Sequence, residues 1–206
     1  MPYYQSGEIK LYYEDHGTGE PIIFLHGFTL DRRIWGPQVK FFSANYRVIV
    51  VDSRGHGKSD SPKSGYGRDY RIEDLLILFH HLKLDQAHLV GLSMGGSTAI
   101  GFTLNYQEKL KSLTLVSTGA AGFKPGRKVA RVDELAKSEG VESARKQWLD
   151  WNMIYYKEKH QDVGKILKQM IEEHSGAIWA DVQRGNYPKS DDLKHVHRIT
   201  VLTMII

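Results

Sequence analysis

Cysteine is absent from this chain, so disulfides, thiolate metal sites and a cysteine nucleophile are excluded from its chemistry. Long apolar runs are missing too. None approaches the roughly 18–20 residues that a membrane helix needs, and no membrane partner is expected. Met1-Pro2-Tyr3-Tyr4-Gln5-Ser6-Gly7-Glu8 lacks the basic start and apolar stretch of a secretory signal, so the expected location is cytoplasmic. There is no internal repeat and no low-complexity segment. The net charge of +4 raises the question of nucleic acid. Its basic residues are interleaved with acids, as in Lys157-Glu158-Lys159 and Lys168-Gln169-Met170-Ile171-Glu172-Glu173, and no basic stripe or RNA-binding motif accompanies them. A mixed solvated surface, with no nucleic-acid partner, is the better account.

What is present is the composition of a globular protein: 206 residues, 41% apolar and 25% charged, enough for one domain with a substantial core and a smaller attached lid. The first half alternates strand and helix signals, the pattern of a largely parallel sheet with helices on its faces. Ile9 to Asp15 alternates apolar and polar residues after Ser6-Gly7, which predicts an opening β-hairpin. Ile22–Leu25, Val48–Val51 and Leu113–Val116 are continuous apolar runs, as expected of strands buried on both faces. Ile72, Leu75, Leu76, Phe79 and Leu82 recur at helical spacing, and small and apolar residues from Thr98 to Leu104 predict a helix packed closely on the sheet.

The rhythm changes near Gly119. Residues 119–195 carry helical patterns, with Trp148, Trp151, Ile154 and Tyr155 on one stripe and Ile166, Leu167, Met170 and Ile171 on another. Gly122, Pro125, Gly126, Gly140 and Gly176 punctuate them. The expected division is a core over 1–118, a helical cap over 119–195, and a returning core strand within 196–206, where Ile199–Ile206 is apolar and β-prone.

Three turns stand after consecutive predicted strands, where open α/β sheets place their ligands. They are His26-Gly27-Phe28, the stretch Asp52-Ser53-Arg54-Gly55-His56-Gly57-Lys58-Ser59, and Gly91-Leu92-Ser93-Met94-Gly95. The last fits G-x-S-x-G, a strained strand-to-helix turn that lifts a serine hydroxyl clear of the sheet. The glycines two residues either side are required because a Cβ there would clash in so tight a turn.

In order and spacing these three motifs, within residues 3–118, resemble the α/β-hydrolase family, in particular its cap-bearing esterase, enol-lactonase and haloperoxidase-like branch. The resemblance implies a mostly parallel twisted sheet flanked by helices, with Ser93 as nucleophile. It assigns the oxyanion hole to the backbone N–H groups of Phe28 and Met94. It makes His26 a structural residue that shapes the oxyanion turn, and gives Asp52 and Arg54 the task of holding their own turn. The implied reaction is cleavage of a small carboxylic ester or lactone, of the 3-oxoadipate enol-lactonase or carboxylesterase type. Epoxide hydrolases and dehalogenases of this fold use aspartate where this chain has Ser93.

Other readings of the same residues fail on spacing. A P-loop ending at Gly57-Lys58-Ser59 needs glycine at position 52, which is Asp52, and a dinucleotide fingerprint from Gly55 needs Gly or Ala at Asp60. His80-His81 and His195-Val196-His197 lack a positioned carboxylate in a ligand pattern, so no metal and no cofactor is expected. The aromatic residues of 119–195 either line an apolar acyl pocket or form the core of the cap itself. A helix-capping serine is the bland alternative for Ser93.

The triad order in the family is serine, acid, histidine. By the family's pattern the last two follow the strand after the cap, beyond Ile206. The alternative acid position, after the strand ending near Val116, holds Ser117-Thr118-Gly119. The expectation is therefore a chain that lacks the last strand and helix and is inactive alone. The alternative function is a non-catalytic α/β-hydrolase-like protein that binds a small ligand.

Overall fold

A computed structural model of the chain describes residues 2–122, 127–153, 160–181 and 191–206. The strands β1 (Tyr3–Ser6), β2 (Ile9–His16), β3 (Glu20–Leu25), β4 (Tyr46–Val51), β5 (Ala87–Leu92), β6 (Leu110–Val116) and β7 (Thr203–Ile205) form one sheet in the order β1-β2-β4-β3-β5-β6-β7. The opening hairpin is there: β1 pairs antiparallel with β2, and β2 antiparallel with β4. From β4 onward every pairing is parallel. The long helices are α1 (Gly36–Phe42), α2 (Arg68–His81) and α3 (Met94–Tyr106), followed by α4 (Arg127–Ser138), α5 (Val141–Met153), α6 (Gln161–Glu173) and the short α7 (Ala177–Ala180).

The unbroken apolar runs of β3 and β4 follow from burial on both faces. Ile23, Leu25, Ile49 and Val51 pack into one cluster with Ile72, Leu75, Phe79 and Phe102 of α2 and α3. The alternating partners Ile22, Phe24, Val48 and Val50 face the opposite way, onto Trp35, with Val39 and Phe42 of α1 against them. Each such side chain, fully buried, contributes about 1.5–3 kcal/mol. The small residues of α3 allow close approach to α2: a Cβ on Gly101 would stand 2.5 Å from Ile72 Cδ1.

Two expectations from the pattern are corrected. The apolar stretch Ile199–Ile206 is strand only over Thr203–Ile205. The amides of Thr200 and Val201 donate to Gln107 Oε1 at 2.5 and 2.9 Å, so they are taken by a side chain before a ladder can form. In α6 the buried set is Gly164, Leu167, Met170 and Ile171, whereas Ile166 is 47% exposed, about 100° around the helix from Leu167. Ile154, Tyr155, Pro125 and Gly126 lie outside the described residues. Between β6 and the turn at Val196–Arg198, all the regular structure among the described residues is helical.

Candidate active site

Ser93 sits between β5 and α3 with φ +50° and ψ −109°, a backbone conformation that L-residues rarely adopt. Close backbone approach imposes it. A Cβ on Gly91 would stand 2.6 Å from Gly96 Cα, and one on Gly95 would fall on the carbonyls of Leu25 and His26. The turn is held by Ser93 N–H donating to Val116 O at 3.0 Å and by the Thr118 hydroxyl donating to Ser93 O at 2.6 Å. Ser93 is exposed, and its side chain makes no cap bond to α3. Helix capping is therefore not what this serine does. Among the described residues its hydroxyl has no hydrogen-bond partner.

The His26-Gly27-Phe28 turn lies beside it: a Cβ on Gly27 would stand 3.5 Å from Ser93 Cβ. β4, β3 and β5 are neighbours in the sheet, so the ends of all three strands converge on one spot. Fully buried His26 donates from Nδ1 to Gly27 O at 2.8 Å and accepts at Nε2 from the Ser53 amide at 3.0 Å. Two backbone partners fix its tautomer, and a ring so engaged is not free to act as a base. Burial lowers its pKa, keeping the imidazole neutral.

His56 repeats the device. Its Nδ1 donates to Arg54 O at 2.9 Å, and its Nε2 accepts from the Thr29 amide at 3.3 Å. Burial, and after it the neighbouring rings of His174 and His26, holds its pKa well below the usual histidine value. The rings of His26 and His56 lie 4.9 Å apart, and those of His56 and His174 4.6 Å. The sequence singled out only the first of these three.

Asp52 and Arg54 hold their turn as expected. Asp52 accepts from the Arg32 amide and Nη1, each at 2.8 Å, and from the Lys58 amide at 2.9 Å. Arg54 clasps Asp74 with two bonds of 2.6 and 2.7 Å and donates to Gly65 O at 2.7 Å. His80, His81, His195 and His197 are exposed. Among the described residues no group of three or more His, Asp or Glu side chains could hold a metal ion.

The described tryptophans of the helical segment, Trp148, Trp151 and Trp179, resolve toward a core. Val132, Ala144 and Trp179 form a buried cluster, with Trp148, Trp151 and Phe28 packed against it. Phe28 meets Trp148 edge-on at 5.4 Å and Trp179 at 5.3 Å. A neighbouring cavity of about 190 Å³ is lined by Asp31, Arg33, Lys58 and Glu173 among others. Its Arg33 is paired with Asp31 and Glu173, each at 2.6 Å, so this space is not the apolar acyl pocket that the sequence left open.

The sequence profile of the alpha/beta hydrolase fold matches residues 20–171. The chain is 39% identical over 121 residues to a 2-hydroxy-6-oxononadienedioate/2-hydroxy-6-oxononatrienedioate hydrolase of Burkholderia vietnamiensis, covering 56% of this chain and 42% of that protein. It spans less than half the length of the curated relatives it matches. Among solved structures, a thermophilic esterase from Thermogutta terrifontis superposes with a TM-score of 0.84 at 31% identity, over 98% of this chain and 76% of that one. The enol-lactonase from Burkholderia xenovorans gives 0.83 at 24% identity, over 99% and 80%, a likeness of fold.

Proposed function

Because the chain belongs to the alpha/beta hydrolase fold family, we propose that Ser93 is the nucleophile of a cytoplasmic serine hydrolase that cleaves small carboxylic esters or lactones. The observation that carries this reading is the backbone of Ser93. A residue at φ +50° and ψ −109°, exposed and with no capping bond, has a conformation that serves presentation of its hydroxyl. In the proposed reaction Ser93 Oγ attacks the substrate carbonyl. The amides of Met94 and Phe28 receive the oxyanion, a contribution of about 2.7–4 kcal/mol per donor to the transition state. Collapse of the tetrahedral intermediate expels the alcohol and leaves an acyl-serine, which water then hydrolyses. The helices of 119–195 act as the cap over this site.

Such a serine needs a base, and the proposal places neither His26 nor His56 in that role, since both imidazoles are engaged by the backbone on both nitrogens. We keep the acid and the histidine outside residues 1–206, so this chain alone is expected to hydrolyse esters no faster than its Ser93→Ala variant. A fluorophosphonate probe tests both parts. The 206-residue chain is expected to label slowly. A C-terminally extended chain carrying a G-x-x-D and a later histidine is expected to label fast at Ser93 and to turn over p-nitrophenyl esters or lactones. Fast labelling of the short chain refutes its inactivity. Ligand binding by the extended chain without labelling or turnover refutes the hydrolase and favours the binding protein, which a Ser93 hydroxyl without a partner among the described residues also suits.

A further inference from the structure

Thr29 has φ +60° and is 1% exposed. A β-branched residue in left-handed backbone is an outlier and persists only where its surroundings over-determine it. Three contacts do so. The Thr29 amide donates to His56 Nε2, its hydroxyl donates to Phe28 O at 2.6 Å, and the same hydroxyl accepts from the indole N–H of Trp148 at 2.7 Å. The first two come from the core. The third comes from α5, 119 residues away in the chain.

These bonds bear on Phe28 from both sides. The peptide before it is pinned through Gly27 O, which accepts from His26 Nδ1 at 2.8 Å and from the Leu30 amide at 3.2 Å. Peptide planarity transmits that hold to the Phe28 N–H. The peptide after it is pinned at Phe28 O by the Thr29 hydroxyl and at Thr29 N by His56. A hydroxyl has one proton to give. The Trp148 indole takes a lone pair of the Thr29 oxygen and leaves its proton for Phe28 O, so the contact from α5 favours the rotamer that locks the turn. The Phe28 ring is meanwhile gripped by Trp148 and Trp179.

We propose that Trp148 and Thr29 are positioning residues that couple the docking of the helical segment 119–195 to the geometry of the oxyanion loop: the indole N–H of Trp148 fixes the Thr29 hydroxyl and thereby the orientation of the Phe28 amide. The inference rests on the reading of Phe28 as an oxyanion donor. It adds that the helical segment completes the loop as well as covering it, so that a segment displaced from the core leaves a loop without its third restraint.

The test uses hydrogen exchange of assigned amides in the 206-residue chain, which needs no turnover. Trp148→Phe keeps an aromatic ring and loses the N–H, and Thr29→Val keeps the shape and loses the hydroxyl. Both are expected to speed exchange at Thr29 at least tenfold, with the amides of β3 and β5 unchanged. Thr29→Ser, which keeps the hydroxyl, is expected to restore the rates to within threefold. Trp151→Phe, in the same aromatic cluster, is the control for general loosening. Unchanged Thr29 exchange in W148F, or equal acceleration in W151F, overturns the inference. If W148F does not fold, the contrast between T29V and T29S decides, and equal rates in those two overturn it as well. In a chain that hydrolyses p-nitrophenyl acetate, W148F is expected to lower kcat about tenfold with KM within twofold. Absence of hydrolysis in every chain counts against the proposed function, while the exchange contrast still stands or falls by itself.

Discussion

Replacing Ser93 by alanine and by glycine separates the cost of its backbone from the value of its side chain. Among the described residues the hydroxyl makes no hydrogen bond and is exposed, so Ser93→Ala is expected to change stability by no more than about 0.5 kcal/mol. Alanine, however, keeps the strain of φ +50° and ψ −109°, which costs on the order of 1–3 kcal/mol. Glycine adopts that conformation freely. Against this gain stands the greater freedom of glycine in the unfolded chain, about 0.4–1 kcal/mol. The balance predicts that Ser93→Gly is more stable than Ser93→Ala by up to about 2.6 kcal/mol. Urea denaturation of both variants, followed by circular dichroism with shared m-values, measures the difference directly. A glycine variant less stable than the alanine variant would refute the argument that the elbow stores strain to present a hydroxyl. It would also remove the main support for reading Ser93 as a nucleophile.

Further outcomes follow from other parts of the structure. Asp74→Ala strips the counter-charge from buried Arg54 and also frees the Ser6 hydroxyl, which donates to Asp74 at 2.6 Å, so a loss of about 3–5 kcal/mol is expected in urea unfolding. Asp15→Ala, at the partly exposed pair with Arg47, is expected to cost no more than about 1 kcal/mol. Because burial lowers the folded-state pKa of His26 and His56 below the unfolded value of about 6.5, the unfolded chain binds more protons below that pH. Stability is therefore expected to fall as pH drops from about 6.5 toward the lowered folded values, and a His56→Gln variant is expected to show a shallower slope. At the sheet edge, Ile205 on β7, which among the described residues is paired on one side only, and Leu202 just before that strand are each 78% exposed. Replacing both by lysine is expected to reduce self-association in sedimentation velocity, and unchanged sedimentation would count against the edge as its cause.

The parts of this protein that local chemistry dictates were legible in its sequence, and the parts set by distant partners were not. Gly91 and Gly95 could be read as obligatory because backbone approaches within a single turn, and the structure puts Gly96 Cα and the Leu25 carbonyl where their Cβ atoms would go. The unbroken apolar letters of Ile22–Leu25 announced a strand covered on both faces, and so it is. Ile199–Val201 misled because β-branched apolar residues read as strand wherever they occur. A glutamine side chain at position 107, outside any local window, claims their amides. Thr29 carried no signal at all. Nothing about a threonine after His26-Gly27-Phe28 suggests left-handed backbone, and the restraints that make it tolerable come from His56 and from Trp148 in α5. His56 was visible only as one letter of a turn motif. That its Nε2 serves an amide of another turn is a fact of the assembled sheet.

The two amides assigned to the oxyanion are held by different kinds of force, and acid is expected to tell them apart. The Met94 side of the site rests on contacts among Gly91, Gly95 and Gly96 and on backbone bonds at Ser93, none of which contains a group that titrates near neutral pH. The Phe28 side rests on two imidazoles, each accepting a backbone N–H at Nε2. Protonation at Nε2 abolishes that acceptor and places a positive charge against the amide it had been holding. The third restraint on Thr29, the indole of Trp148, does not titrate and cannot replace the lost acceptor at Thr29 N. Lowering the pH toward the depressed values of these histidines should therefore accelerate exchange at Thr29 and Ser53, after correction for the intrinsic rate, before it does so at Ser97, whose amide donates to Ser93 O at 3.0 Å. Simultaneous loss of protection at all three would mean that the elbow and the loop open as one unit, and that the neutral histidines hold the whole site instead of one half of it.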